Sequence, residues 1–150
     1  MKFIVTILFV AALTGCSSTP SHKDYIGKDA AIVEGSFAGL IGFLGGDAHA
    51  RVQEIDGIRT PGGVTSFKVS PGVHELGLII IGDRGTATTY IKPNLQPSKK
   101  YRVTGDMTGI TAKIRLYDVT SDTQSLVTEE RKEITPNAPQ PMVIMPVIVK

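Results

Sequence analysis

Tryptophan is absent from the 150 residues, and cysteine occurs once, at Cys16. A single cysteine excludes an internal disulfide framework and any cysteine-only zinc site. Aromatic residues make up 6% of the chain, and charged ones 20% with a net of +2, so no charge of one sign dominates. No block of basic residues occurs, which removes the electrostatic footprint of a nucleic-acid binder. Long hydrophobic runs are missing too. The longest near the start is Phe3 to Leu13, broken only by Thr6. As a helix it would span roughly 16 Å at ~1.5 Å per residue, about half a hydrocarbon core. It is too short to cross a membrane and the right length for the apolar part of a secretory signal. What remains is an ordinary globular balance for one domain, with 41% hydrophobic residues, 16 glycines and 9 prolines favouring strands and turns.

Directly after the apolar run comes Leu13-Thr14-Gly15-Cys16, followed by Ser17-Ser18-Thr19-Pro20. An aliphatic residue, a small residue, Gly and then Cys resembles the processing signal of bacterial lipoproteins. That resemblance implies cleavage before Cys16, a diacylglyceryl thioether on its sulfur and an acyl chain on its amine. Removing residues 1–15 takes Lys2 away and leaves a net charge of +1. Each buried acyl CH₂ contributes ~0.8 kcal/mol, so two or three chains hold a protein at a membrane where one does not. Ser17, in place of the Asp resembling an inner-membrane retention signal, implies the periplasmic face of the outer membrane in a two-membrane host. Residues 16–25 read as the lipidated cysteine and a flexible polar tether, and residues 26–135 as the folded domain.

Within residues 26–135 the apolar period is two, not 3.6. Ala48, Ala50 and Val52 alternate with polar neighbours, as do Tyr101, Val103, Gly105 and Met107, and Ile110, Ala112, Ile114 and Leu116. Each such run is a strand with one face toward a core. Turn residues separate them at Asp56-Gly57, Pro61-Gly62-Gly63, Pro71-Gly72, Gly82-Asp83, Pro93-Asn94 and 120–123. The pattern predicts strands near 28–35, 48–55, 64–70, 73–81, 86–92, 100–107, 110–119 and 125–133. The continuous Ile79-Ile80-Ile81 predicts that its strand is central and covered on both faces. The expectation is an all-β antiparallel sandwich of seven to eight strands, of Greek-key type, after a cleaved signal helix.

Leu95-Gln96-Pro97-Ser98-Lys99-Lys100-Tyr101 resembles the corner segment of fibronectin type III and related Greek-key domains. The resemblance gives Leu95, Pro97 and Tyr101 structural roles, with the Tyr101 hydroxyl bonded back to the backbone of its own loop. More loosely, Val69-Ser70-Pro71-Gly72-Val73-His74-Glu75-Leu76 is similar to the hairpin of PEGA-like repeats in small, uncharacterised proteobacterial lipoproteins. Neither resemblance brings an activity with it. Asp56-Gly57 and Pro71-Gly72 read as the positive-φ positions of tight hairpins.

A search for chemistry finds little. His22, His49 and His74 share no metal-ligand spacing, and His74, in phase with Leu76, reads as a strand-start residue at the core's edge. Asp47 and His49 would share one side of a strand, yet one pair is not a site. Gly35-Ser36-Phe37-Ala38-Gly39 lacks the spacing of a nucleophile elbow, and Gly27-Lys28-Asp29 lacks a P-loop's glycines and hydroxyl. Asp29 with Glu34, and Glu129 with Glu130, are paired carboxylates without a cleft. No cofactor or metal is expected.

Two apolar stretches are candidates for meeting a partner. Residues 35–46 interleave five glycines with Phe37, Leu40, Ile41, Phe43 and Leu44. Residues 136–150 open with Pro136, Pro139 and Pro141 and end in an apolar run containing Val143, Ile144, Val147 and Ile148. Such a run must be covered, either as a last strand of its own domain or on a partner's sheet edge. The expected function is therefore a non-catalytic binding or assembly module, anchored by lipid on Cys16, with a protein partner in the envelope and no nucleic acid. A secretion-system lipoprotein of transthyretin-like fold is one specific version. The alternative is an enzyme binding a metal or small ligand through scattered residues.

Overall fold

A computed structural model describes residues 21–36 and 48–137. The expected signal segment, Cys16, the apolar residues 37–44 and those at 143–148 lie outside the described residues. The strands are β1 (Ala31–Gly35), β2 (His49–Ile55), β3 (Ile58–Arg59), β4 (Ser66–Val69), β5 (Gly72–Val73), β6 (Leu76–Gly82), β7 (Gly85–Ile91), β8 (Asn94–Leu95), β9 (Lys100–Thr108), β10 (Thr111–Asp118), β11 (Ser125–Glu133) and β12 (Thr135–Pro136). The seven longest of these, with β4, match the eight runs read from the alternation. The two-residue strands β3, β5, β8 and β12 are too short to carry a period.

Two five-stranded sheets form, in the orders β11-β10-β9-β1-β4 and β12-β7-β6-β2-β3, with β5-β8 as a separate pair. The protein is an all-β sandwich. Its core comes from one face of each sheet: Val33, Phe67, Val103, Ile114 and Leu116 from the first, and Val52, Ile55, Leu76, Leu78 and Ile80 from the second. The faces approach closely enough that a Cβ on Gly105 of β9 would lie 2.9 Å from the Ile80 side chain of β6.

Three features depart from the expected pattern. First, β1 lies parallel to β9, with Val33 opposite Tyr101, while the other neighbours in both sheets are antiparallel. Parallel neighbours require a long connection, and here the whole of β2 to β8 intervenes. Second, β2 contains an irregularity between Val52 and Glu54 opposite β6. The extra residue lets Val52 and Ile55 both face inward, where strict alternation would have turned Glu54 into the core. The Thr60 hydroxyl donates to the carbonyls of Val52 and Gln53 at 2.8 and 3.1 Å, covering the polar groups beside the bulge. Third, β6 is central but not covered on both faces. Ile81 is 39% exposed, and Ile79 sits between Arg51 and Thr88 on the outer face. The side-chain stems of those cross-strand neighbours give Ile79 its partial cover.

Asp56-Gly57 is the expected two-residue turn, with φ of 52° and 75° and Ile55 paired to Ile58. Pro71-Gly72 is not a hairpin turn. It lies between β4 and β6, which belong to different sheets, so the chain changes sheet there and pairs Gly72 with Leu95 on the way.

Both ends of the folded chain lace the sheets together. Ser21 bridges to Arg59 of β3, and the His22 N–H donates to the Arg59 carbonyl at 2.8 Å. Three residues later the Tyr25 N–H donates to the Lys68 carbonyl of β4, and Asp24 Oδ1 accepts the Lys68 N–H. The segment 21–25 is thus bonded to an edge strand of each sheet and does not hang free as a tether. At the other edges, β11 of the first sheet runs on into β12, which pairs with β7 of the second. Pro136 therefore belongs to the folded domain. Gly85, at φ 148°, packs so closely under Thr135 that a Cβ there would overlap the Thr135 carbonyl.

The corner is built around a buried tyrosine. Tyr101 is 2% exposed and Leu95 1%, while Pro97 is exposed. The Tyr101 hydroxyl accepts the Gln96 N–H at 2.9 Å, so the group it satisfies is a donor rather than a carbonyl. Removing that oxygen orphans a partly buried N–H, at a cost of about 1–2 kcal/mol. Urea unfolding of Tyr101→Phe should show this loss, and a change below ~0.3 kcal/mol would mean that water satisfies Gln96 instead. Gly85→Ala should cost about 1–3 kcal/mol by displacing β12 from β7. Hydrogen exchange should then show faster exchange of amides in β7 and β12, while unchanged rates there would refute the contact.

Candidate functional site

Where the chain crosses from β4 to β6, the side chains of Ser70 and His74 meet Asp56 of the β2–β3 turn. The Asp56 backbone N–H donates to the Glu75 carbonyl at 2.8 Å, and Asp56 Oδ1 accepts the Glu75 N–H at 2.9 Å. These two bonds fix the carboxylate, leaving Oδ2 directed at His74 Nδ1, 2.6 Å away. Across the ring, His74 Nε2 lies 3.2 Å from Ser70 Oγ. Partial burial pushes the Asp56 carboxyl up, but the His74 hydrogen bond, the Glu75 N–H and the neighbouring His74 and His22 outweigh it and hold its pKa below the ordinary aspartate value. An ionised Asp56 requires the proton on Nδ1, and in the neutral imidazole Nε2 is then free to accept from the Ser70 hydroxyl. The His74 side chain is 13% exposed, against 49% for Asp56.

This relay borders a cavity of about 380 Å³, lined by His22, Tyr25, Ile58, Lys68, Ser70 and His74 among others. The N-terminal segment forms one wall. His22 packs edge-on against the core ring of Phe67, with centroids 6.0 Å apart. Its Nε2 is buried and is the one such side-chain atom without a hydrogen-bond partner among the described residues. A buried polar atom left unpaired is costly.

The other candidates do not converge. His49 lies on β2, and its expected neighbour Asp47 is outside the described residues. Asp29 accepts a hydrogen bond from the Tyr25 hydroxyl, whereas Glu34 pairs with Lys100 and Arg102 at 2.8 and 3.6 Å, so the two carboxylates have separate partners. Glu129 pairs with Arg115 and Arg131 at 2.9 and 3.3 Å. Among the described residues no group of three His, Cys, Asp or Glu could hold a metal ion, and no helix is long and apolar enough to cross a membrane.

Sequence reasoning missed the relay. It read His74 as part of the alternating set on β6, whereas His74 falls in the gap between β5 and β6, half-buried and turned toward Asp56. The usable signal was Ser70 and His74 flanking Pro71-Gly72, two polar side chains on either side of a sheet crossing. Asp56, 18 positions away in sequence, had no local mark. No protein family, curated protein or solved structure matches this chain.

The lowered pKa of Asp56 carries a stability prediction with a definite sign. A carboxyl whose pKa is lower folded than unfolded stabilises the fold above the ordinary value near ~3.9 and loses that contribution as pH falls through the lowered one. Asp56→Asn should therefore be less stable than wild type at pH 7, with the gap closing below about pH 4. Thermal midpoints at pH 7 and pH 3 test this, and an undiminished gap at pH 3 contradicts it.

Proposed function

We propose that the chain is a lipid-anchored envelope protein whose β-sandwich faces the periplasm as a binding or assembly module. One observation carries the reading: the sole cysteine closes Leu13-Thr14-Gly15-Cys16 at the end of a signal-length apolar run. Thiolate chemistry suits thioether formation, and small residues ahead of the cysteine leave the backbone open to a peptidase.

The bonding of Ser21 and His22 to Arg59 supports a close approach to the membrane. Only residues 17–20 separate Cys16 from the first bonded residue, a span of at most ~18 Å when extended. On this reading the side of the sandwich formed by β3, β4 and the segment 21–25 lies next to the lipid surface, and the cavity beside His22 opens near it. The opposite side, with the charged edge strand β11, projects into the periplasm as the face offered to a protein partner.

Lipidation is testable directly. Cells grown with a labelled fatty acid should label the wild-type protein and not Cys16→Ala, which should accumulate as uncleaved precursor. Label persisting in Cys16→Ala would refute the anchor.

A further inference from the structure

We propose that Ser70, His74 and Asp56 form a nucleophilic relay that cleaves carboxylic esters in the cavity beside His22. The arrangement meets the requirements of such a relay by role rather than by sequence order. The hydroxyl is within hydrogen-bond reach of the base at 3.2 Å, and the base is oriented by a carboxylate at 2.6 Å on its other nitrogen. The carboxylate is in turn held by the Glu75 N–H and by a two-residue turn with positive φ at Asp56. Here each ring nitrogen of His74 has a partner of the type that proton transfer requires.

The chemistry balances within the site and needs no other reagent than the ester and water. Ser70 Oγ attacks the carbonyl carbon while His74 Nε2 takes the hydroxyl proton, giving a tetrahedral oxyanion and an imidazolium stabilised by Asp56. Collapse breaks the bond to the alcohol oxygen, which leaves with the proton from Nε2. Water then attacks the acyl-serine, with His74 again taking a proton and returning it to Ser70 as the acid departs.

The geometry does not depend on the anchor, so Cys16→Ala should behave as wild type in this assay, and failure of either reading leaves the other intact. The full-length protein in detergent, exposed to a fluorophosphonate probe, should gain one phosphonyl adduct, mapped to the peptide containing Ser70. Ser70→Ala should remove the adduct, and His74→Gln should slow its formation by about a hundredfold or more. Circular dichroism and thermal melting establish that each variant is folded. Hydrolysis of a short-chain p-nitrophenyl ester, compared with that of phosphatidylglycerol vesicles, then separates a soluble ester from a membrane lipid as substrate. No adduct on Ser70 of the folded wild type would overturn the proposal, as would equal labelling of folded His74→Gln. Either result would leave the three residues only the task of fastening the crossing.

Discussion

Each sheet has one apolar face, and burying those two faces against each other is the constraint from which the rest follows. Val52, Leu76, Leu78 and Ile80 on one side meet Val33, Phe67, Val103, Ile114 and Leu116 on the other, each at 2% exposure or less. At ~25 cal/mol per Å² of apolar surface, this layer is the dominant favourable contribution to folding. Because strands consecutive in sequence must supply both layers, the chain changes sheet repeatedly. Every change takes backbone out of a ladder, and the freed N–H and C=O groups need partners. The unusual side chains of this protein stand at those crossings. Tyr101 accepts Gln96 N–H where β8 gives way to β9, Thr60 covers the bulge carbonyls where β3 leaves for β4, and Asp56 serves the backbone of Glu75 where β4 passes to β6.

The strands were legible in the sequence because a sandwich with one wet and one dry face writes its alternation into every long strand. Ala112, Ile114 and Leu116 are all buried, and the residues between them are not. The same logic failed where it counts residues without a partner strand. Nothing local in His49–Ile55 shows that Val52 and Ile55 share a face, since the bulge exists only against β6. Pro71-Gly72 has the composition of a hairpin turn, yet which strand follows it in space is decided by whole-sheet packing. The parallel pairing of β1 with β9 is likewise global. The relay was illegible for the same reason: it joins two segments whose proximity is a consequence of the crossing. The segment 21–25 reads as polar tether in one dimension, and only the free edges of β3 and β4 give its backbone a partner.

Those edges explain the lacing at both ends of the described domain. An open sandwich exposes unpaired edge groups that invite pairing with other chains. Here the segment 21–25 spans from β3 to β4, and the β11–β12 passage spans from the first sheet to β7. Lacing of this kind couples the two sheets through backbone bonds that core packing alone does not supply.

Charge completes the division of labour between the two sides. The ion pairs of the first sheet, Arg115–Glu129, Lys100–Glu34 and Lys99–Asp118, join partly exposed side chains and contribute little stability individually. Their value lies in placement. Along β11, exposed on most of its length, Glu129, Glu130, Arg131, Lys132 and Glu133 make edge-to-edge pairing with another copy electrostatically and sterically poor. The side with β3 and β4 uses its charged and titratable groups differently. There His74 and His22 are withdrawn around a cavity, His22 with a buried unpaired nitrogen, while Asp56, about half exposed, borders it and is held ionised. Polar groups that serve only solubility stay in water; polar groups withdrawn beside a cavity carry a desolvation cost that packing does not return. That cost, concentrated at one crossing of the sandwich, sets this place apart from the rest of the surface.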